Sequence, residues 1–377
     1  MNIPFNKPYF TGKETDYIKE AVATGKISGD GIFTRKCQDF FEKRYGVLKT
    51  LLTTSCTDAL EMAAILCNIE PGDEVIAPSY TFVSTVNAFV LRGAKIVFAD
   101  SEELAPNIDV SKIGSLITPK TKVIVPVHYA GTACHMDVIL DLAKEHSLFV
   151  VEDAAQAIDS FYMGKPLGTL GNMATFSFHE TKNIISGEGG MLAVNDATFA
   201  KRSEIIREKG TNRSAFFRGE VDKYGWVDIG SSFLPSDIIA AFLYAQLEHL
   251  DEIQSRRKKI WDIYYEGLKK LETKGILKLP CIPEYATNNY HMFYLVCENL
   301  VSRSNLIKHL KQQGIMAVFH YLSLHKSPFY SKFHDGRNLP NSDRYSDCLL
   351  RLPLFYELSD SNVEMIVDSI LSFYRQK

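Results

Sequence analysis

The stretch Phe176-Ser177-Phe178-His179-Glu180-Thr181-Lys182-Asn183, closed by Gly187-Glu188-Gly189-Gly190 and followed by Met191-Leu192-Ala193-Val194, decides how the rest of the chain is read. Phe176 and Phe178 alternate with small or polar residues, so the stretch opens as the end of a half-buried strand. A polar turn and a glycine-rich run follow, and Met191–Val194 reads as a second strand. Lys182 therefore falls in the connection between two strands. A lysine in a turn is ordinarily a solvated surface residue. An ammonium set among buried strands is costly to desolvate unless it is paired or gives up its proton. A lysine kept as a free amine can form a Schiff base with a carbonyl cofactor. The surrounding chain must decide between these readings.

Outward from that stretch, strands and helices alternate. Residues 13–24 and 34–46 read as helices, the second ended by Gly46. A strand at Lys49–Thr53 leads into Ser55-Cys56-Thr57-Asp58 and a strong helix former, Ala59–Leu66, with Ser55 and Asp58 spaced as at a helix start. Glu74–Pro78, Lys95–Asp100, Lys122–Val127 and Leu148–Val151 read as strands, with helices at 83–92 and Met136–His146 between them. Apolar strands without alternation, separated by amphipathic helices, predict an α/β fold with a mostly parallel sheet covered on both faces. Ligands of such sheets sit beyond the carboxyl ends of the strands, where Ser55, Ser79, His128 and Asp153 fall. Ser236–Leu271 reads as one long helix with a weak point near Leu250, and it links a large unit at 1–250 to a smaller α+β unit at 251–377. In that second unit His291–Cys297 and Met316–Tyr321 read as strands, and Ser302–Gln313 and Ser359–Tyr374 as helices.

Composition narrows the function classes. With 42 basic against 45 acidic residues and no basic tract, nothing favours nucleic acid or a membrane surface. No apolar run nears the ~20 residues of a membrane span, and the N-terminus lacks a signal-peptide core, so a cytoplasmic protein is expected. The seven cysteines are scattered without a C-x-x-C and read as reduced thiols. His128, Cys134 and His135 lie close together, but no second cluster completes a site, and no metal is expected.

Three features remain. Ser55, Cys56 and Thr57 stand at a helix N-terminus, where free N–H groups, hydroxyls and the helix dipole can hold an anion; a plain N-cap looks the same. Asp153 ends an apolar strand, and its carboxylate needs a cationic or donating partner, either an arginine or a protonated ring nitrogen. Lys182 ends another strand. Phosphate cradle, carboxylate and lysine are the set that pyridoxal 5'-phosphate requires, the lysine holding the aldehyde and the carboxylate keeping the ring nitrogen protonated. Phe82, in Ser79-Tyr80-Thr81-Phe82, is a candidate to stack on the ring, or a core aromatic.

The chain resembles the DegT/DnrJ/EryC1/StrS family of PLP-dependent sugar nucleotide aminotransferases, from Pro8 to beyond Leu354. The matching stretches are Gly72-Asp73-Glu74-Val75-Ile76, Pro78-Ser79-Tyr80-Thr81-Phe82, Val151-Glu152-Asp153-Ala154-Ala155-Gln156, Phe176-Ser177-Phe178-His179 with Lys182-Asn183, Gly187-Glu188-Gly189-Gly190 and Asp228-Ile229-Gly230. The resemblance implies the aspartate aminotransferase type I fold, with a seven-stranded, mostly parallel sheet. It implies Lys182 as the Schiff-base lysine and Asp153 as partner of the ring nitrogen. Phe82 would stack on the ring, Gln156 would lie near its hydroxyl, and Ser55, Cys56, Thr57 and Ser177 would hold the phosphate. Family members usually carry Asn after Asp-Ile-Gly, reaching the phosphate of the neighbouring subunit; this chain has Ser231-Ser232, so Ser232 takes that place. A homodimer with shared active sites is implied. Tyr321 and His325 resemble positions that face the sugar nucleotide, and Lys223 and Arg213 are cationic candidates for its diphosphate, or solvated surface charges.

Within the family the likeness runs closest to the branch that aminates dTDP-4-keto-6-deoxyglucose at C4, with glutamate as donor and 2-oxoglutarate as product. That branch makes a dTDP-4-amino-4,6-dideoxyhexose of galactose configuration for enterobacterial common antigen or lipopolysaccharide. Relatives give the glucose configuration or act on 3-keto sugars, and Ile184-Ile185-Ser186-Gly187 departs from the branch beside Lys182. A sugar 3-dehydratase on the same scaffold would carry His in place of Lys182. A regulator that binds the cofactor would not need the complete Lys182, Asp153 and Gln156 set. A Rossmann dehydrogenase lacks its G-x-G-x-x-G here.

Overall fold

The structure is a computed structural model and describes residues 2–375. Nine strands precede residue 200: β1 Lys49–Thr53, β2 Glu74–Pro78, β3 Lys95–Ala99, β4 Thr121–Ile124, β5 Phe149–Asp153, a short ribbon of β6 Phe161–Tyr162 and β7 Lys165–Pro166, β8 Met173–Ser177 and β9 Gly190–Val194. Seven of them form one sheet in the order β1-β9-β8-β5-β4-β2-β3. All its strands run parallel except β9, which is antiparallel to both β8 and β1.

The sheet is buried on both faces, which is why its strands read as continuous apolar runs. Successive side chains point to opposite faces. Ile76, Val97, Ile124, Val150, Ala174 and Met191 enter one core, and Val75, Phe98, Val123, Val151, Met173 and Leu192 the other. Phe176 and Phe178 are 2% and 1% exposed, while Ser177 between them, the last residue of β8, is only partly buried.

Helices cover both faces: α1 Glu14–Ala23, α2 Ile32–Tyr45, α3 Cys56–Leu66, α4 Ser84–Val90, α5 Val110–Leu116, α6 Met136–His146, α7 Ala197–Arg207, α8 Arg213–Phe217 and α9 Asp237–Glu248. Gly46 closes α2 with a left-handed φ of 72°, a conformation that favours glycine. The expected long helix is two: α9 ends at His249, and α10, Leu250–Thr273, starts there. Leu250 and Ile253 of α10 belong to the first core, while Ile260, Trp261, Tyr264 and Leu268 belong to a third. That third core lies among α10, α11 Leu300–Gln312, α13 Asp360–Arg375 and a sheet of order β10-β12-β11 (β10 Phe293–Val296, β11 Val318–Phe319, β12 Leu349–Leu352), preceded in the chain by α12 Pro340–Cys348. Ile3 bridges to Ile315 and joins the same core. The strand expected at Met316–Tyr321 is only Val318–Phe319, and Tyr321 lies beyond it with a φ of 58°.

Candidate active site

At the carboxyl ends of the parallel strands lies a cavity of about 440 Å³. Seven segments line it: the start of α3, the β2–α4 connection with the first turn of α4, Val127 after β4, the end of β5 and the residues after it, the end of β8 and the residues after it, Glu188 and Gly189 before β9, and His320–Tyr321 after β11. Ser55, Cys56, Thr57, Phe82, Asp153, Gln156, Ser177, Lys182 and Tyr321, all singled out in the sequence, border this one space.

The β8–β9 hairpin builds the lysine's loop. Ser177 pairs with Gly190. The loop is then pinned by Phe178 N–H to Gly189 O at 2.8 Å, Glu180 N–H to Gly187 O at 2.9 Å and Ser186 N–H to Phe178 O at 2.7 Å. Lys182 N–H donates to His179 O at 2.9 Å, closing a turn that carries the side chain. Lys182 exposes area as a cavity wall does, and protein encloses it; burial pushes its pKa down, while Cys56 and Asp153 act the other way. Among the described residues its ammonium makes no hydrogen bond or ion pair. Its side chain therefore lines the cavity unpaired and is not that of a solvated surface turn lysine.

Strand alternation separates Glu152 from Asp153. Glu152, fully buried, accepts from His128 Nε2 at 2.9 Å and from the N–H groups of Gly168, Leu170 and Gly171. With Cys134 N–H bonded to Nδ1, His128 has both ring nitrogens engaged. Asp153, 5% exposed, faces the cavity. Its Oδ2 accepts from Thr85 Oγ1 at 2.6 Å and its Oδ1 from Ala155 N–H at 3.1 Å. No ion pair reaches it among the described residues, so the arginine alternative falls away.

Ser55 caps α3: its Oγ accepts from Asp58 N–H at 3.0 Å, leaving its O–H and the N–H groups of Cys56 and Thr57 at the open end of an 11-residue helix. Gly190 lies so close behind that end that a Cβ there would sit 2.3 Å from Ser55 C and Cys56 N. Burial, aided by Asp153, pushes the Cys56 thiol up to about 12, so it stays neutral. Phe82 is 55% exposed and its ring lies 5.9 Å from that of Tyr321, so it is not a core aromatic. Gln156 accepts from Ala130 N–H at 2.7 Å and donates to the Tyr321 hydroxyl at 3.1 Å.

Four singled-out residues lie elsewhere. His325 is 3% exposed, its Nδ1 2.7 Å from Ser79 Oγ and its Nε2 3.6 Å from Asp343. It joins the end of β2 to the small-sheet side, and His320 takes the cavity position. His325→Ala is accordingly expected to lower Tm while leaving KM for the sugar substrate within about threefold, a difference of under 1 kcal/mol; a large KM rise with an unchanged Tm would contradict that. Arg213, over the Phe217 ring at 5.2 Å, and Ser232 line a second hollow of about 620 Å³ with Lys26, Lys209 and Ser214. Lys223 is exposed and borders neither space. Ile184 and Ile185 are buried and do not border the cavity, so the departure beside Lys182 fills core.

Two residues went unread. His320 borders the cavity and bonds Tyr129 OH through Nδ1 at 2.7 Å; burial, with Arg351 and Lys182, holds its pKa well below the usual range. Arg351 on β12 lies over Phe5 at 4.8 Å, has a buried Nε without a partner, and makes no ion pair among the described residues. Burial lowers its pKa, and Tyr129, Tyr321 and Tyr80 oppose that shift. The signal was a lone charge inside Leu349-Leu350-Arg351-Leu352.

A free enclosed lysine, a buried unpaired carboxylate and an open helix N-terminus around one cavity define a Schiff-base enzyme. The chain belongs to the DegT/DnrJ/EryC1/StrS aminotransferase family, whose model matches residues 8–371. It is a transaminase, and pyridoxal phosphate is its cofactor. GDP-perosamine synthase of Escherichia coli O157:H7 is 34% identical, over 100% of this chain and 99% of that protein. Spore coat polysaccharide biosynthesis protein SpsC of Bacillus subtilis is 32% identical, over 98% and 96%. The PLP-form structure of the sugar aminotransferase Spr1654 from Streptococcus pneumoniae superimposes with a TM-score of 0.91 at 26% identity, over 100% and 99% of the two chains.

Proposed function

We propose that this aminotransferase moves the amino group of glutamate to C4 of dTDP-4-keto-6-deoxyglucose, giving a dTDP-4-amino-4,6-dideoxyhexose of galactose configuration for a surface polysaccharide. The observation that carries the chemistry is Lys182, a buried amine without a partner in the cavity that also holds Asp153 and the start of α3.

Lys182 would hold the cofactor's aldehyde carbon, Asp153 its ring nitrogen, Phe82 its face and Gln156 its hydroxyl, while Ser55, Cys56, Thr57 and Ser177, which line the same cavity, would hold its phosphate. When bound, that group supplies an electron sink that acidifies the donor's Cα–H. The free Lys182 amine would take the donor's Cα proton, and in the second half-reaction it would give a proton to C4 of the sugar. Its lowered pKa suits both tasks, because the amine is uncharged at a lower pH than an ordinary lysine. Arg351 supplies the cation for the donor's carboxylate. Tyr321 and His320 present polar atoms to the sugar.

Phe217, 69% exposed, lines the hollow that holds Ser232 and Arg213, and Tyr224, Trp226 and Val227, 52%, 83% and 55% exposed, follow on the segment whose Tyr224 ring lies 5.6 Å from that of Phe216. An apolar patch of this kind fits a second copy of the chain, which would bring Ser232 to the partner's phosphate site and Arg213 with Lys223 to the diphosphate. Among the described residues no helix is long and apolar enough to cross a membrane, in keeping with a cytoplasmic enzyme. A GDP-linked 4-keto sugar is the second reading, favoured by the 34% identity to a GDP-perosamine synthase. Incubation with glutamate and either nucleotide sugar, reading 2-oxoglutarate release and product NMR, tests both. Faster turnover of the GDP-linked sugar moves the substrate to the second reading, and turnover of neither removes both. A preparation that turns over as a monomer removes the shared site.

A further inference from the structure

The residue after Lys182 makes bonds that the chemistry above leaves unused. Asn183 is 5% exposed. Its Nδ2 donates to Gln254 Oε1 at 2.7 Å and to the main-chain oxygen of Asn289 at 2.8 Å. Two acceptors fix the amide's orientation, so its Oδ1 must accept, and His291 Nδ1–H donates to it at 2.8 Å. Burial, then Lys182, Arg351 and Arg257, hold the His291 pKa well below its usual value, so the ring stays neutral.

Asn289, 1% exposed, reaches the other way: its Nδ2 donates to the main-chain oxygens of Gln156 and Ile158, both at 2.8 Å. Its Oδ1 accepts from His291 N–H at 3.1 Å. Arg257 of α10 donates to the main-chain oxygens of Tyr290 at 3.1 Å and His291 at 2.6 Å. Between them Tyr290 holds a φ of 57°, a conformation a tyrosine adopts only when its surroundings impose it. The loops bearing Lys182 and Gln156 are thus bonded to one three-residue segment, Asn289–His291, which leads into β10. A buried polar network with its members satisfied favours one arrangement over its neighbours.

We propose that Asn183 is a positioning residue: through Asn289 and His291 it sets where the Lys182 amine stands relative to Gln156 and Asp153. This rests on Lys182 being the Schiff-base lysine. The test uses the PLP-loaded enzyme and reads the absorbance of the lysine-bound cofactor across a pH titration, beside kcat and KM. Asn183→Ala should move the titration midpoint and lower kcat about 100-fold, the scale of a 1 Å misplacement, with KM for glutamate within about threefold. Asn183→Asp, which loses both donors and adds a negative charge next to Lys182, should move the midpoint to higher pH, and it decides the matter where the alanine variant does not fold. A wild-type midpoint in a folded variant overturns the proposal, even with kcat reduced, because the surroundings of the Lys182 nitrogen would then be unchanged. Absence of the chromophore from the wild-type enzyme instead removes the reading of Lys182.

Discussion

Lys182→Ala is expected to lose turnover by at least about 10⁴-fold, the upper end of what one positioned acid–base group contributes, and to lose the absorbance of a lysine-bound cofactor altogether. The proposed reaction places two tasks on one amine, and among the described residues no other lysine borders the cavity. His179 and His320 border it as well, but neither is an amine that can hold an aldehyde. The variant should still fold, since the ammonium makes no hydrogen bond or ion pair among the described residues. Borohydride reduction of the loaded wild-type enzyme should fix the cofactor to the peptide containing Lys182. Label on another peptide, or measurable turnover in the variant, would sink the assignment.

Asp153→Asn should be nearly as costly to activity and of the opposite sign in the cofactor-free protein. The carboxylate is buried, held only by Thr85 and Ala155, and has no cationic partner among the described residues. Burying a charge without a partner is unfavourable, so a neutral amide of the same shape should leave the apoprotein's Tm unchanged or raise it. Removing one member of a buried charge pair costs about 3–5 kcal/mol, and that loss at the ring nitrogen corresponds to a drop of about 10²–10⁴ in kcat/KM. A fall in apoprotein Tm with activity kept within about threefold would show Asp153 to be a structural residue like its neighbour Glu152.

The parts of the fold and site that were legible are those set by local physics. β1 and β2 follow from apolar runs bounded by breakers, the end of β8 from the alternation at Phe176–Phe178, the cap of α3 from Ser55, and the break at His249 from the change of pattern near Leu250. Lys182 and Asp153 drew notice because a charge at the end of a buried strand is expensive. The reversed direction of β9 was not legible, because an apolar run such as Met191–Val194 carries no sign of its polarity. His325 was misleading: a histidine in a polar loop looks available, and only the tertiary approach of Ser79 and Asp343 buries it. Arg351 comes close enough to His320 to lower its pKa because β11 pairs with β12, setting Arg351 opposite Val318, a contact between residues more than 30 positions apart.

The reversed strand has a consequence for how this enzyme can diverge. Lys182 lies in a closed excursion between the paired residues Ser177 and Gly190. Inserting or deleting one residue there would slip β9 against β8, exchanging Met191 and Ala193 with Leu192 and Val194 across the two cores. It would also put a side chain in place of Gly190 against the start of α3. Lineages of this enzyme are therefore expected to vary the loop by replacement at constant length.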